Sequence, residues 1–106
     1  MIEFSTFVCD NRFICSANGH ANTAPYGSDT VCAAVSALTH LLYFAAKELD
    51  EEGLLSSFYH SAVTGSAEID FTVKEEGYPR ASFLFDAVNT LMLELEAEYP
   101  GAIRIL

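Results

Sequence analysis

Twice along this chain, residues that alternate at every second position give way to an apolar stripe at helical spacing. That repeated change of period constrains the fold more than any other feature of the sequence. Residues 2–8 and 12–17 are short, rich in aromatic and β-branched side chains, and separated by Asp10-Asn11, which suits a tight hairpin turn. If Cys9 pairs with Arg12, then Ile2, Phe4, Val8, Phe13, Cys15 and Ala17 share one face, and Glu3, Ser5, Arg12 and Ser16 the other. Cys9 and Cys15 then fall on opposite faces, where no disulfide can join them. Residues 18–28 lack apolar periodicity and hold Asn18, Gly19, Asn22, Pro25 and Gly27, which predicts a loop of the length that carries function in small domains. From Asp29 onward, Val31, Ala34, Val35, Leu38, Leu41, Leu42, Ala45 and Leu49 keep the spacing of a helix buried along one side, with Gly53 as its stop.

The pattern then repeats. A second hairpin is predicted over residues 57–64 and 67–74, turning at Gly65-Ser66 with Thr64 opposite Ala67. Phe58, Ala62, Ile69, Phe71 and Val73 point inward on this reading, and His60 with them. Gly77-Tyr78-Pro79 opens a second helix to about residue 98, with Leu84, Val88, Leu91 and Leu95 inward and Pro100 and Gly101 ending it; residues 102–106 make a last short strand. The order β, β, α, β, β, α, β predicts a single small α+β domain spanning residues 1–106, with both helices packed on one face of a mostly antiparallel sheet. Small sheets with an open face or edge commonly cover it by pairing with a second copy, so a homodimer is expected.

Charge narrows the function classes. Five Lys and Arg stand against fifteen Asp and Glu, a formal charge of −10, with no basic cluster anywhere. Direct binding to nucleic acid is therefore not expected, because that affinity comes from Lys and Arg displacing counterions. A basic protein partner suits the balance, as does the plainer reading of a solvated acidic surface. The acids gather near the helix ends, at Glu48, Asp50, Glu51 and Glu52 and again at Glu94, Glu96 and Glu98, where they oppose the local dipole. No apolar run approaches the roughly 20 residues of a bilayer span, and Met1 leads straight into the first alternating segment, so no membrane partner and a cytoplasmic location are expected. Three cysteines without paired C-x-x-C spacing point away from a disulfide framework and a four-thiolate zinc site, and toward reduced thiols. A site built from Cys32, His20 and Cys15 has poor spacing and no fourth ligand, so neither metal nor other cofactor is expected.

Cys32 falls at about the third residue of the long helix if Asp29 is its N-cap. Unpaired N–H groups and the positive end of the helix dipole stabilise a thiolate there, while an ionised Asp29 works against it, so a cationic partner would tip the balance. Of three histidines, His40 lies eight residues further down the same helix, about 12 Å along the axis and too far for a hydrogen bond. His60, on the apolar face, is more simply a satisfied core imidazole and is kept as a reserve partner for Cys32. His20 stands at the opposite end of the loop from Cys32, and a Cys–His pair held across such a loop suits thiolate attack and proton return to a leaving amine. In that scheme the amides of the helix N-terminus are candidate holders of the oxyanion. A structural cysteine beside an Asp cap and an unrelated surface histidine would leave the same letters. Asp29 is most simply an N-cap, worth about 1 kcal/mol. Ser36, one turn after Cys32, either lines the site or bonds back to a carbonyl. Gly19 and Gly27 serve as turn positions or hinges. Phe4, Phe13, Phe58, Phe71, Phe83 and Phe85 read as core.

Gly19-His20-Ala21, followed six residues later by Gly27-Ser28-Asp29-Thr30-Val31-Cys32-Ala33-Ala34-Val35-Ser36, resembles the signature of the bacterial ribosomal-processing cysteine protease (Prp) family. The likeness extends over the chain, from the opening hairpin to the closing Glu98-Tyr99-Pro100 and the strand containing Ile103. The resemblance implies a small dimeric α+β protease that removes an N-terminal extension from a large-subunit ribosomal protein, cutting beside aromatic residues. By position it makes Cys32 the nucleophile and His20 the general base and acid. Gly19, Ala21, Gly27, Asp29 and Ser36 match motif positions that support the site or bind substrate. A basic ribosomal precursor suits the −10 charge. The alternative from another class is a noncatalytic acidic adaptor that binds a basic ribosomal or ribosome-assembly protein.

Overall fold

The alternation of the first hairpin becomes one face, buried at Ile2, Phe4, Phe13, Cys15 and Ala17 but open at Val8, which is 46% exposed. β1 (Ile2–Cys9) and β2 (Arg12–Gly19) pair antiparallel from Ile2 opposite Gly19 to Cys9 opposite Arg12, the predicted register. The structure is a computed structural model that describes residues 1–20 and 29–106. It continues with α1 (Thr30–Glu51), β3 (Leu55–Val63), β4 (Ser66–Val73), α2 (Tyr78–Glu98), entered through a single 3₁₀ turn at Glu75–Gly77, and β5 (Ile103–Ile105). The strands form one sheet in the order β3-β4-β2-β1-β5, antiparallel throughout except that β5 runs parallel to β1. Both helices cover the same face, as expected of this α+β pattern. Phe13 stacks on Phe71 at 5.4 Å and meets Phe85 of α2 edge-on at 5.0 Å. Phe4, Ile69, Val31, Leu42 and Met92 close the core around them.

Several sequence expectations need correction. β2 runs two residues further than predicted, through Asn18 and Gly19, so the loop starts later. In the second hairpin Val63 pairs with Ser66 and Ala62 with Ala67, making Thr64-Gly65 the turn; partners differ from the expected ones by two residues. A two-residue offset keeps every side chain on its predicted face. The buried stripe of α1 is Val31, Val35, Thr39, Leu42, Ala46 and Leu49, and that of α2 is Ala81, Phe85, Val88 and Met92. Leu41 and Leu91, predicted inward, are each 46% exposed, and Phe83, predicted in the core, is 78% exposed. α1 also proves long and apolar enough, by length and composition, to cross a membrane, contrary to the expectation that no run is. Its apolar stripe is occupied by the sheet.

Some of the acids have structural work. Arg80 grips Glu52 through two hydrogen bonds, 3.0 and 2.8 Å, joining the end of α1 to the start of α2. Glu96 accepts the Ile105 amide at 2.9 Å and so anchors β5. On the uncovered sheet face Arg12 holds Asp70 by a similar fork, 3.0 and 2.7 Å, which keeps the Asp70 carboxyl below its ordinary range.

Candidate active site

At one end of the sheet three pieces converge: the end of β2, the β3–β4 turn and the first turns of α1. α1 starts where it does because Asp29, only 7% exposed, caps it: Oδ1 accepts the amides of Val31 and Cys32, both at 3.0 Å, and its carbonyl accepts Ala33 N at 3.1 Å. The predicted N-cap and the position of Cys32 one turn inside the helix are therefore observed. The same bonds engage the amides of Val31, Cys32 and Ala33, three of the helix-start amides named as candidate holders of the oxyanion.

Cys32 is half-buried and lines a cavity of about 580 Å³. His20, Gly19, Asp29 and Ser36 line it too, so the described members of the predicted site share one chamber; Ala21 and Gly27 lie outside the described residues. Gly19 sits at φ +101°, and the space a side chain would take there is filled by the carbonyl oxygen of Met1, so this glycine is required by its backbone. Ser36 lines the cavity, and its carbonyl accepts both the Thr39 hydroxyl at 2.9 Å and His40 Nδ1 at 2.8 Å.

Two more histidines line the cavity, one set aside and one held in reserve by the sequence reading. His40, set aside as too distant to pair with Cys32, forms part of the wall, its ring held by the Ser36 carbonyl. His60 points to the helix side as its parity requires, but it is exposed rather than a core imidazole; its ring lies 4.0 Å from that of Tyr43, tilted by 30°, and it lines the cavity. The signal for His60 was in the alternation, and what misled was equating the inner face with burial. The other sulfurs differ from Cys32: Cys9 is exposed on the hairpin, and Cys15 is buried, with its thiol pushed up to about 12 by desolvation. Among the described residues no group of three His, Cys, Asp or Glu side chains is placed to hold a metal ion.

A half-buried thiol at a helix start, in one chamber with an imidazole from a different element, is an arrangement suited to nucleophilic chemistry. The family model described as "Cysteine protease Prp" matches residues 1–104. The chain belongs to the Prp family of cysteine proteases. It is thus an enzyme, and the sequence resemblance is upheld. Among solved structures, this chain is similar to an essential ribosomal processing protease Prp from S. aureus bound to a covalently linked product peptide, at 23% identity and TM-score 0.69, covering 99% of this chain and 97% of that one. The same S. aureus protease with a substrate peptide is similar at 21% identity and TM-score 0.62, covering 100% and 98%. SMU.848 from Streptococcus mutans is similar at 23% identity and TM-score 0.68, covering 99% and 91%. At these identities the likeness establishes the Prp fold. No curated protein matches the chain.

Proposed function

We propose that this Prp family protease removes the N-terminal extension of a large-subunit ribosomal protein, with Cys32 as nucleophile and His20 as general base and acid. The observation that carries the reading is that His20 and Cys32, from separate elements, line one cavity. In this mechanism His20 takes the Cys32 proton and the sulfur attacks the scissile carbonyl carbon. His20 then gives the proton to the departing amine as the C–N bond breaks, leaving a thioester. Water, deprotonated by His20, cleaves the thioester; the carboxylic product leaves and the thiol is restored. Asp29 acts as the cap that fixes where the sulfur stands, and Ser36 as part of the wall.

The substrate assignment draws on the −10 charge, which favours a basic precursor, and on the S. aureus relative, which is a ribosomal processing protease. The same reading makes the protein a bacterial, cytoplasmic homodimer that binds neither membrane nor nucleic acid and needs no cofactor. Nothing separately favours the noncatalytic adaptor. Incubation with the extended ribosomal-protein precursor of the same organism, followed by mass, is the direct test. Loss of the extension is expected; a precursor unchanged by active, folded protein would overturn the assignment. Sedimentation of the pure chain tests the dimer.

A further inference from the structure

We propose that Gly65, in the β3–β4 turn, is a positioning residue whose missing side chain makes a seat for the His20 imidazole. The proposal rests on the reading of His20 as the base. Three observations meet at this point. A Cβ at position 65 would stand 3.0 Å from His20 Nε2, 3.4 Å from Cε1 and 3.8 Å from Cδ2, so the turn already touches the ring. The Gly65 carbonyl accepts the Gly19 amide at 2.8 Å, which ties the turn to the residue immediately before His20. Next to it the Ser66 hydroxyl donates to Asn18 Oδ1 at 2.8 Å. The turn therefore holds the backbone that carries the imidazole and bears on the ring itself, while both Gly65 and His20 line the cavity shared with Cys32.

Glycine at position 65 has two possible reasons, and the molecule contains its own control. Gly65 sits at φ +80°, a conformation that disfavours side chains by itself. Gly53, at φ +75°, has the same backbone requirement, but a Cβ there would meet nothing within 4 Å. Substitution at 53 costs strain alone; substitution at 65 costs strain and also displaces His20. Because His20 is exposed, its ring yields to an added Cβ by moving, and the hairpin keeps its fold.

The test compares Gly65→Asn and Gly65→Ala with Gly53→Asn and Gly53→Ala; Asn tolerates positive φ and carries the comparison if the Ala variants fold poorly. With the ribosomal-protein precursor as substrate, Gly65→Asn is expected to lower kcat about tenfold with KM little changed, as misplacement of a catalytic group does, while Gly53→Asn keeps wild-type kcat. A second readout needs no substrate: alkylation of Cys32 by iodoacetamide against pH, resolved from Cys9 and Cys15 by peptide mass. Gly65→Asn should move this profile toward that of His20→Ala and should change nothing further when combined with His20→Ala. Equal kcat in Gly65→Asn and Gly53→Asn would overturn the positioning role, as would an effect of Gly65→Asn that persists without His20. If His20→Ala itself leaves cleavage intact, the base assignment falls and this proposal with it; if His20→Ala is crippled while Gly65→Asn is not, the positioning role alone falls.

Discussion

Cys15 and Cys32 touch the same core and differ in nearly everything that decides what a sulfur does. Cys15 lies in the middle of the sheet, 1% exposed, and burial pushes its thiol up to about 12. Cys32 lies at the end of the sheet, where β2 has finished and α1 has just begun, half-buried against a cavity it shares with three imidazoles. The middle is closed because aromatic rings from β2, β4 and α2 interlock there. At the end, Tyr59 to Thr64, the last part of β3 and the first residue of its turn, are exposed, and Ala62, Val63 and Thr64 line the cavity. The fold thus seals one thiol as packing and leaves the other lining a cavity, and residue type distinguishes neither.

The largest effect expected from breaking this contrast is on turnover. Cys32→Ala should lower cleavage by about 10³-fold or more, the scale of losing a nucleophile. Cys15→Ala should leave kcat unchanged and cost about 1–2 kcal/mol of stability through the small cavity it opens. Precursor cleavage and urea melts on both variants check this, and turnover lost with Cys15 rather than Cys32 would invert the comparison. Next in size is His20→Ala, expected to lose about 10²–10⁴-fold in kcat as general acid–base groups do. His40→Ala and His60→Ala, on the same cavity wall, should lose less. A crippled His60→Ala beside an active His20→Ala would move the base to the β3 wall.

The sealed thiol gives a third prediction, on stability against pH. At alkaline pH an unfolded chain releases the Cys15 proton from its ordinary range near 9.0, while the folded chain keeps it to about 12. The unfolded state then binds fewer protons, so stability falls as pH rises through that window, by up to about 1.4 kcal/mol per pH unit from this group. Urea midpoints measured across the window should decline more steeply for wild type than for Cys15→Ala. Parallel profiles would mean that Cys15 is less sealed than its packing indicates.

What the sequence made legible was periodicity, and what it hid was where neighbouring elements end. Parity put His60, Phe58 and Ile69 on the inner face correctly, and it survived the two-residue offset of the second hairpin because parity does not register even shifts. It did not place Leu41 and Leu91, which flank the buried stripes of their helices, and residue type alone misplaced Phe83, which is two residues from both Ala81 and Phe85 and so faces away from the core. The Cys32–Asp29 relation was readable because capping is local. The seat under His20 was not, because Gly65 reaches it only through β2 lying beside β4, with Asn18 opposite Ser66, and strand order leaves no mark in the spacing of residues.

The smallest expected effect sharpens the contrast from the capping side. Asp29 does two opposed things in the proposed mechanism: it satisfies the amides of Val31 and Cys32, and it brings a carboxyl group to the residue whose sulfur that mechanism makes anionic. Asp29→Asn keeps an oxygen acceptor and removes the charge. The helix should then stay capped, with little change in Tm, while alkylation of Cys32 at neutral pH accelerates about two- to fivefold, the worth of about 0.3–1 kcal/mol at a helix terminus. Asp29→Ala removes the charge as well, but it strands two amides and should cost about 1 kcal/mol or more of stability. Cys15 should stay inert to the reagent in both folded variants. If Asp29→Asn slows alkylation of Cys32 while Tm holds, the carboxylate is helping the thiolate, and Asp29 is then part of the chemistry and more than a cap.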